Sequence, residues 1–220
     1  FRIVFQSTLP SLTGSDGKSR NQGRSDNNEK SESNGDLKDL ADASKKSSQQ
    51  EKTFIARSAK NLEMIWCPPG SYLRGDGYNT NTVILTEGFY LGKYEVTQEQ
   101  YQSVMGDNPS KFKGMKLPVQ SVSWEDVVVF CKKLNEKEKN RIPEGWVFTL
   151  PTESQWEYAC RAGTTTRYFW GEKINSDWAN YGESGYEKTR VVGSYRPNSW
   201  GLYDMHGNVW ELCADWYGSY

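Results

Sequence analysis

From Ser11 to Gln50 the chain has no aromatic residue, whereas all nine Trp lie after residue 50. Ordering one residue costs about 1–2 kcal/mol of backbone entropy, and a stretch of Ser, Asn, Asp, Lys, Gly and Gln has little apolar surface to bury in return. Three parts follow: a short apolar start at 1–10 (FRIVFQSTLP), a flexible linker at 11–52, and an aromatic-rich folded domain at 53–220. Within the linker, Leu37, Leu40 and Ala41 could make one transient helical turn. An apolar share of only 35% over the whole chain fits a protein with part of its length outside the core.

Charge narrows the function classes. The 27 basic and 28 acidic side chains nearly cancel, which argues against a main role on nucleic acid or an anionic membrane. No apolar run approaches the ~18 residues of a membrane span. Cys67, Cys131, Cys160 and Cys213 are far apart and form no Cys-x-x-Cys pair, which excludes zinc-ribbon and thioredoxin-type sites. One or two disulfides and four reduced, packed thiols both remain open. The chain opens on Phe1, with no basic stretch leading into an apolar one, and is expected to be a fragment without a visible signal peptide.

Three helix starts share one local chemistry. Thr97-Gln98-Glu99-Gln100, Ser123-Trp124-Glu125-Asp126 and Thr152-Glu153-Ser154-Gln155 each place a hydroxyl where it accepts from an early helix N–H, and three residues later a side chain that reaches back. Apolar residues then recur at helical spacing: Tyr101, Val104 and Met105; Val127, Phe130, Cys131 and Leu134; Trp156, Ala159 and Cys160. Gly106 and Gly163 are the expected stops. Strands are expected at Leu62–Trp66, Thr82–Thr86, Phe89–Val96, Trp146–Leu150 and Arg190–Tyr195. Gly70–Asn81 and Arg161–Ser194 fit neither period and are expected to be irregular, so the fold class is α+β with little regular structure.

The usual catalytic constellations are missing. His206 is the only histidine and sits in a Gly-flanked turn, so a packing role outweighs a catalytic one. Catalytic zinc and non-haem iron sites normally draw on two or three histidines. No phosphate-binding glycine motif is present. The carboxylates are more suggestive: Asp204 and Glu211 flank the turn at Gly207, where side-chain and backbone oxygens could converge on calcium. The plainer reading has Asp204 forming the turn and Glu211 solvated. Trp156, Trp170, Trp178, Trp200, Trp210 and Trp216 could form a sugar or peptide platform, although a domain this rich in Trp more often uses them as core.

Long phrases then recur in a recognisable order: Ile65–Tyr72 (IWCPPGSY), Gly88–Thr97 (GFYLGKYEVT), Pro118-Val119 with Val122-Ser123-Trp124, Leu150–Tyr158 (LPTESQWEY), Phe169-Trp170-Gly171 and Pro197–Glu211 (PNSWGLYDMHGNVWE). From Leu62 to Tyr220 the chain resembles the formylglycine-generating enzyme family, or sulfatase-modifying-factor domain. The resemblance implies a C-type-lectin-like variant of that family's fold. It implies calcium held by side-chain oxygens of Asp204 and Glu211 with the backbone carbonyls of Gly207 and Val209. A second calcium site would use Asn180 and Tyr181, but the acidic ligand the family places there falls near Ser184.

The family's enzymes oxidise a sulfatase cysteine to formylglycine with oxygen and copper(I) held by two cysteines. Those cysteines are expected downstream of Asp215-Trp216-Tyr217. None of the four present matches them, so no catalytic residue carries over and copper belongs here only through a further segment. The expected function is that of a sulfatase-modifying-factor-type domain acting on a sulfatase or other protein or peptide substrate. The alternatives are a non-catalytic, lectin-fold binding module in a larger tandem-domain protein, and the iron-dependent ergothioneine-synthase branch.

Domains of this family typically close on Gly-Phe-Arg followed by a short apolar strand, which Phe1-Arg2-Ile3-Val4-Phe5 resembles. Residues 1–10 are accordingly expected to be the closing strand of an upstream sister domain, an unrelated apolar stub being the other reading. As a strand, Phe1–Phe5 is expected to dock on the exposed edge at Leu62–Cys67 or Ser71–Arg74.

Overall fold

The computed structural model describes residues 1–8, 51–75 and 80–215. The linker expected at 11–52 lies outside them except for Glu51 and Lys52, as do the transient turn near Leu37 and the last of the candidate platform residues, Trp216. Seven strands are described: β1 (Val4–Ser7), β2 (Thr53–Ala56), β3 (Leu62–Cys67), β4 (Gly70–Gly75), β5 (Thr80–Leu85), β6 (Phe89–Gly92) and β7 (Trp146–Thr149). The helices are α1 (Gln98–Met105), α2 (Trp124–Glu138) and α3 (Glu153–Arg161). The main sheet is five-stranded and antiparallel, in the order β2-β3-β6-β1-β7, and β4 and β5 form a separate hairpin.

Helix starts follow the local chemistry. Thr97, Ser123 and Thr152 each accept from the backbone N–H three residues on, and Gln100, Asp126 and Gln155 each reach back to the cap N–H. At 2.8 Å from Ser123 N, the Asp126 carboxylate closes its box despite its shorter side chain. α1 ends on Gly106 at φ 96°, a left-handed conformation that glycine adopts without cost. α3 ends one residue before its expected stop: Ala162 takes the left-handed cap at φ 45°, and Gly163 follows at φ 88°.

The sheet is buried on both faces, and the side-chain period of two sorts its residues between them. Phe1, Ile3, Phe5, Leu62, Met64, Tyr90 and Phe148 face the α1–α2 side, where they pack with Tyr101, Val104, Val127, Phe130 and Leu134. Val4, Cys67, Phe89 and Leu91 face the other way, onto Tyr158, Ala159, Cys160, Leu202 and Met205. The Phe5 ring centroid lies 4.3 Å from that of Phe54, 4.6 Å from Phe148 and 4.9 Å from Trp146. Removing such a ring costs about 3–5 kcal/mol, so the first five residues are part of the core.

Three sequence expectations need correction. Phe1–Phe5 does not dock on β3 or β4; β1 is inserted between β6 and β7, with Val4 opposite both Leu91 and Thr149 and Phe5 opposite both Tyr90 and Phe148. An inner position gives the strand hydrogen-bonding partners on both sides, which an edge cannot offer. Arg190–Tyr195 is not a strand: Arg190 N–H donates to Asn208 Oδ1 (2.8 Å) and Gly193 N–H to Asp204 Oδ2 (2.6 Å), so side chains take the groups a ladder would use. Gly70–Gly75, expected to be irregular, pairs residue for residue with Thr80–Leu85.

Candidate functional site

The candidate metal residues lie at the end of the chain's irregular half, where Asp204 (φ 55°) and Asn208 (φ 78°) both take left-handed backbone conformations. Asp and Asn tolerate that region better than most residues because their short polar side chains bond locally. Here the turn carries Asp204, Gly207, Val209 and Glu211 past the ends of β1 and β6. Gly207 packs so closely on the Asn180 backbone that a Cβ would lie 2.2 Å from Asn180 O. Asn208 N–H donates to that same oxygen at 2.7 Å. The two segments singled out separately, Asn180-Tyr181 and Asp204–Glu211, therefore meet in space.

Two charged residues that the sequence reading passed over complete the cluster. Arg2 is fully buried: its Nε lies 2.8 Å from Glu211 Oε1, its Nη1 donates to Gly92 O and Lys93 O at 3.0 Å each, and its Nη2 donates to Tyr203 O. The other oxygen of Glu211 accepts from Trp156 Nε1 at 3.1 Å. Glu95 is equally buried and accepts from Asn208 Nδ2 (2.7 Å) and Val209 N–H (3.2 Å). Burial, reinforced by the charge of Glu211 and opposed by Arg2, pushes the Glu95 carboxyl up to about 8. Burial also raises Asp204, against the pull of the Gly193 N–H and Arg2. The signal for both missed residues was charge inside an apolar run: Arg2 alone in Phe-Arg-Ile-Val-Phe, and Glu95 with Lys93 in Phe-Tyr-Leu-Gly-Lys-Tyr-Glu-Val.

The first donor set has one orphaned oxygen to offer a hard cation. Asp204 Oδ1 is buried and has no hydrogen-bond partner, and of three buried or nearly buried carboxyls, Glu211 pairs directly with the Arg2 guanidinium while Glu95 and Asp204 act on it through their charge. Each Glu211 oxygen accepts one bond and keeps a second lone pair. Among the described residues no three Asp, Glu, His or Cys side chains could hold one ion, so the balance of a calcium shell must come from backbone oxygens, as calcium accepts. Residues Asp204 and Glu211 with the carbonyls of Gly207 and Val209 would supply it. In the second set Asn180 Oδ1 accepts from Ser184 Oγ at 3.0 Å and Ser184 Oγ accepts from Tyr181 N–H at 3.2 Å, so a hydroxyl stands at the position of the expected acidic ligand and already occupies the Asn180 oxygen.

The thiols are a different case. None of the four is in a disulfide, and burial pushes Cys131, Cys160 and Cys213 each up to about 12. Cys67 is raised further by the same cause. Copper(I) takes thiolates, and in the metal-free chain burial holds all four cysteines as neutral thiols. Cys160 Sγ lies 3.6 Å from His206 Nε2, a spacing that invites a nucleophile–base reading. That nitrogen is already engaged and is weakly basic. Phe169 N–H donates to His206 Nε2 at 3.3 Å, which places the ring proton on Nδ1, and burial lowers His206 to about 4. A neutral imidazole beside a neutral thiol is packing, and Tyr168, Phe169 and Trp170 enclose the ring at 4.9–5.4 Å.

Most of the candidate platform is used internally. Trp200 meets Tyr158 edge-on, and Trp170 stacks on Trp178 at 5.7 Å. Trp210 alone among the described Trp is almost fully open, at 97% exposure.

Residues 49–220 match the model of the sulfatase-modifying factor enzyme 1-like domain. The chain belongs to this family. It is 34% identical over 187 residues to chaperone protein LppX of Paenibacillus barcinonensis, covering 64% of this chain and 66% of that one. It is 36% identical over 114 residues to the formylglycine-generating enzyme of Mus musculus, covering 46% and 27%. The chain thus spans about two thirds of the first relative and about a quarter of the second. Treponema denticola variable protein 1 superposes with a TM-score of 0.65 at 29% identity, over 77% of this chain and 78% of that one. The sulfatase-modifying-factor fold, in its C-type-lectin-like α+β form with few helices, is therefore the fold of this chain.

Proposed function

We propose that the chain is a binding module of the sulfatase-modifying-factor family, with a protein or peptide as its partner and without cysteine oxidation performed by its own four thiols. The state of those thiols supports the reading: none is in a disulfide, Cys67, Cys131 and Cys160 are buried and Cys213 half-buried, and burial holds all four as neutral thiols, which are poor nucleophiles. A fold of this kind separates scaffold from chemistry. A cavity of about 540 Å³ between the β4–β5 hairpin and the end of α3, lined by Tyr72, Tyr158, Arg161 and Thr164 among others, gives such a module a concave surface. In this proposal calcium is structural, bound by Asp204, Gly207, Val209 and Glu211.

The test is incubation of the purified 220-residue chain with Cu(I), oxygen and a sulfatase-derived cysteine peptide, followed by mass spectrometry. The expected result is unchanged peptide. Formylglycine that disappears on replacing any one of the four cysteines would overturn the proposal. The second reading, a formylglycine-generating oxidase acting on sulfatases with its copper pair in a further segment, is favoured by the 36% identity to the mouse enzyme. Turnover by a longer chain carrying two additional closely spaced cysteines, lost when they become Ser, is the outcome that supports it.

A further inference from the structure

β1 occupies an inner position of the five-stranded sheet, yet it is joined to β2 only through residues 8–52. Phe1, Arg2, Ile3, Val4 and Phe5 are each at most 2% exposed. Every backbone partner of the strand belongs to β6, β7 or the segments beside them: Ile3 O accepts from Gly92 N–H, Phe1 O from Val96 N–H, and Thr8 N–H donates to Gly145 O. The body of the domain is therefore a sheet with a slot between β6 and β7, and β1 is the strand that fills it. Strand addition of this kind gains affinity from main-chain bonds and specificity from side-chain pockets.

The pockets read a pattern. On one face Phe1, Ile3 and Phe5 enter the aromatic core beside Tyr101, Phe130, Phe54 and Phe148. On the other, the Arg2 guanidinium meets Glu211 and three backbone carbonyls in full burial. A slip of one residue would put an apolar side chain against Glu211 and the arginine into the aromatic core, which fixes the register.

We propose that the β6–β7 slot is a strand-acceptor site for an apolar–Arg–apolar–apolar–apolar segment, and that a second copy of this chain can supply it by exchanging β1. Two facts favour that partner. The intervening stretch of roughly 40 residues can span up to about 140 Å when extended, ample to reach another molecule, and the copy offers the same strand to the same slot, so exchange keeps every native contact. This inference does not depend on whether the domain is catalytic.

The test uses the full chain with a site-specific protease sequence placed within 11–50. After cleavage, a fluorescent peptide of residues 1–8 is added in excess and its anisotropy followed. Uptake of one peptide per protein is expected, and the Arg2→Ala peptide should require at least about 100-fold higher concentration because it leaves Glu211 without its cation. No uptake while the cleaved protein stays folded, or equal uptake of the Arg2→Ala peptide, overturns the acceptor site. In a second arm, the uncut chain is partly unfolded at high concentration, returned to native conditions and passed over a sizing column with light scattering. A dimer containing both labels of a mixed preparation is expected. Monomer alone at every concentration overturns exchange between copies.

Discussion

Arg2 and Glu211 stand 209 positions apart in the chain, yet they form an ion pair at 2.8 Å with side-chain exposures of 0% and 6%. Buried pairs do not always stabilise, because desolvation of both charges offsets their attraction, but removing one partner strands the other. The pair therefore acts as a latch: it holds β1 in register and ties the sheet to the turn that carries the candidate calcium ligands.

Replacing Arg2 with Met should lower stability by about 3–5 kcal/mol, read as a fall in the urea midpoint with little change in slope. Arg2→Lys should recover only part of that loss, since an ammonium cannot reproduce the fork of donors that meets Glu211, Gly92, Lys93 and Tyr203. A midpoint that stays unchanged in Arg2→Met would show that apolar packing alone seats the strand.

Calcium should raise the melting temperature and a chelator should reverse the gain, because an ion that binds only the folded state adds about 2.7 kcal/mol at one hundred times its dissociation constant. Asp204→Asn should abolish most of this response, since it removes the charge of the carboxylate whose Oδ1 is buried without a partner. Ser184→Ala, which touches the poorer second set, should leave it intact. Identical calcium responses in Asp204→Asn and the parent chain would exclude the assigned ligands.

With Cys131, Cys160 and Cys213 raised to about 12 and Cys67 beyond it, thiol reagents at pH 7.5 should modify the folded chain very slowly. All four should react at once in denaturant. Cys213 is the least buried and should lead in the folded state. Rapid labelling of Cys160 would mean that His206 activates it after all.

His206 gives stability a pH dependence of known sign. Its folded value of about 4 lies below the ordinary 6.5, so between these values the unfolded chain binds the extra proton, and stability falls as pH drops from about 6.5 to 4. After allowance for partial exposure, the loss should be on the order of 2 kcal/mol. His206→Gln should remove this part of the acid destabilisation, measured as the difference between the two urea midpoints at pH 7 and pH 4.5. Parallel acid losses in both proteins would place the histidine in solvent.

What could be read directly from the sequence is what neighbours decide. The boxes at Thr97, Ser123 and Thr152 close within four residues, so the helix starts were legible before any fold was known. The alternation of Leu62, Met64 and Trp66 likewise foretold one face of β3, and the long phrases around Gly88–Thr97 and Pro197–Glu211 carried the family. Asp204 and Glu211 stood out only by their spacing around one turn. Other features depended on partners far along the chain. Gly70–Gly75 becomes a strand because Thr80–Leu85 pairs with it, and Arg190–Tyr195 fails to become one because Asn208 and Asp204 take its N–H groups. Whether Phe1–Phe5 would be an edge or an inner strand was settled by the vacancy between β6 and β7, formed by segments some 90 and 145 residues downstream. The same holds for the site: a charge inside an apolar run signals burial with a partner, but only the folded chain brings Glu95, Arg2 and Glu211 together, since electrostatic energy depends on distance in space and burial, neither of which sequence separation sets.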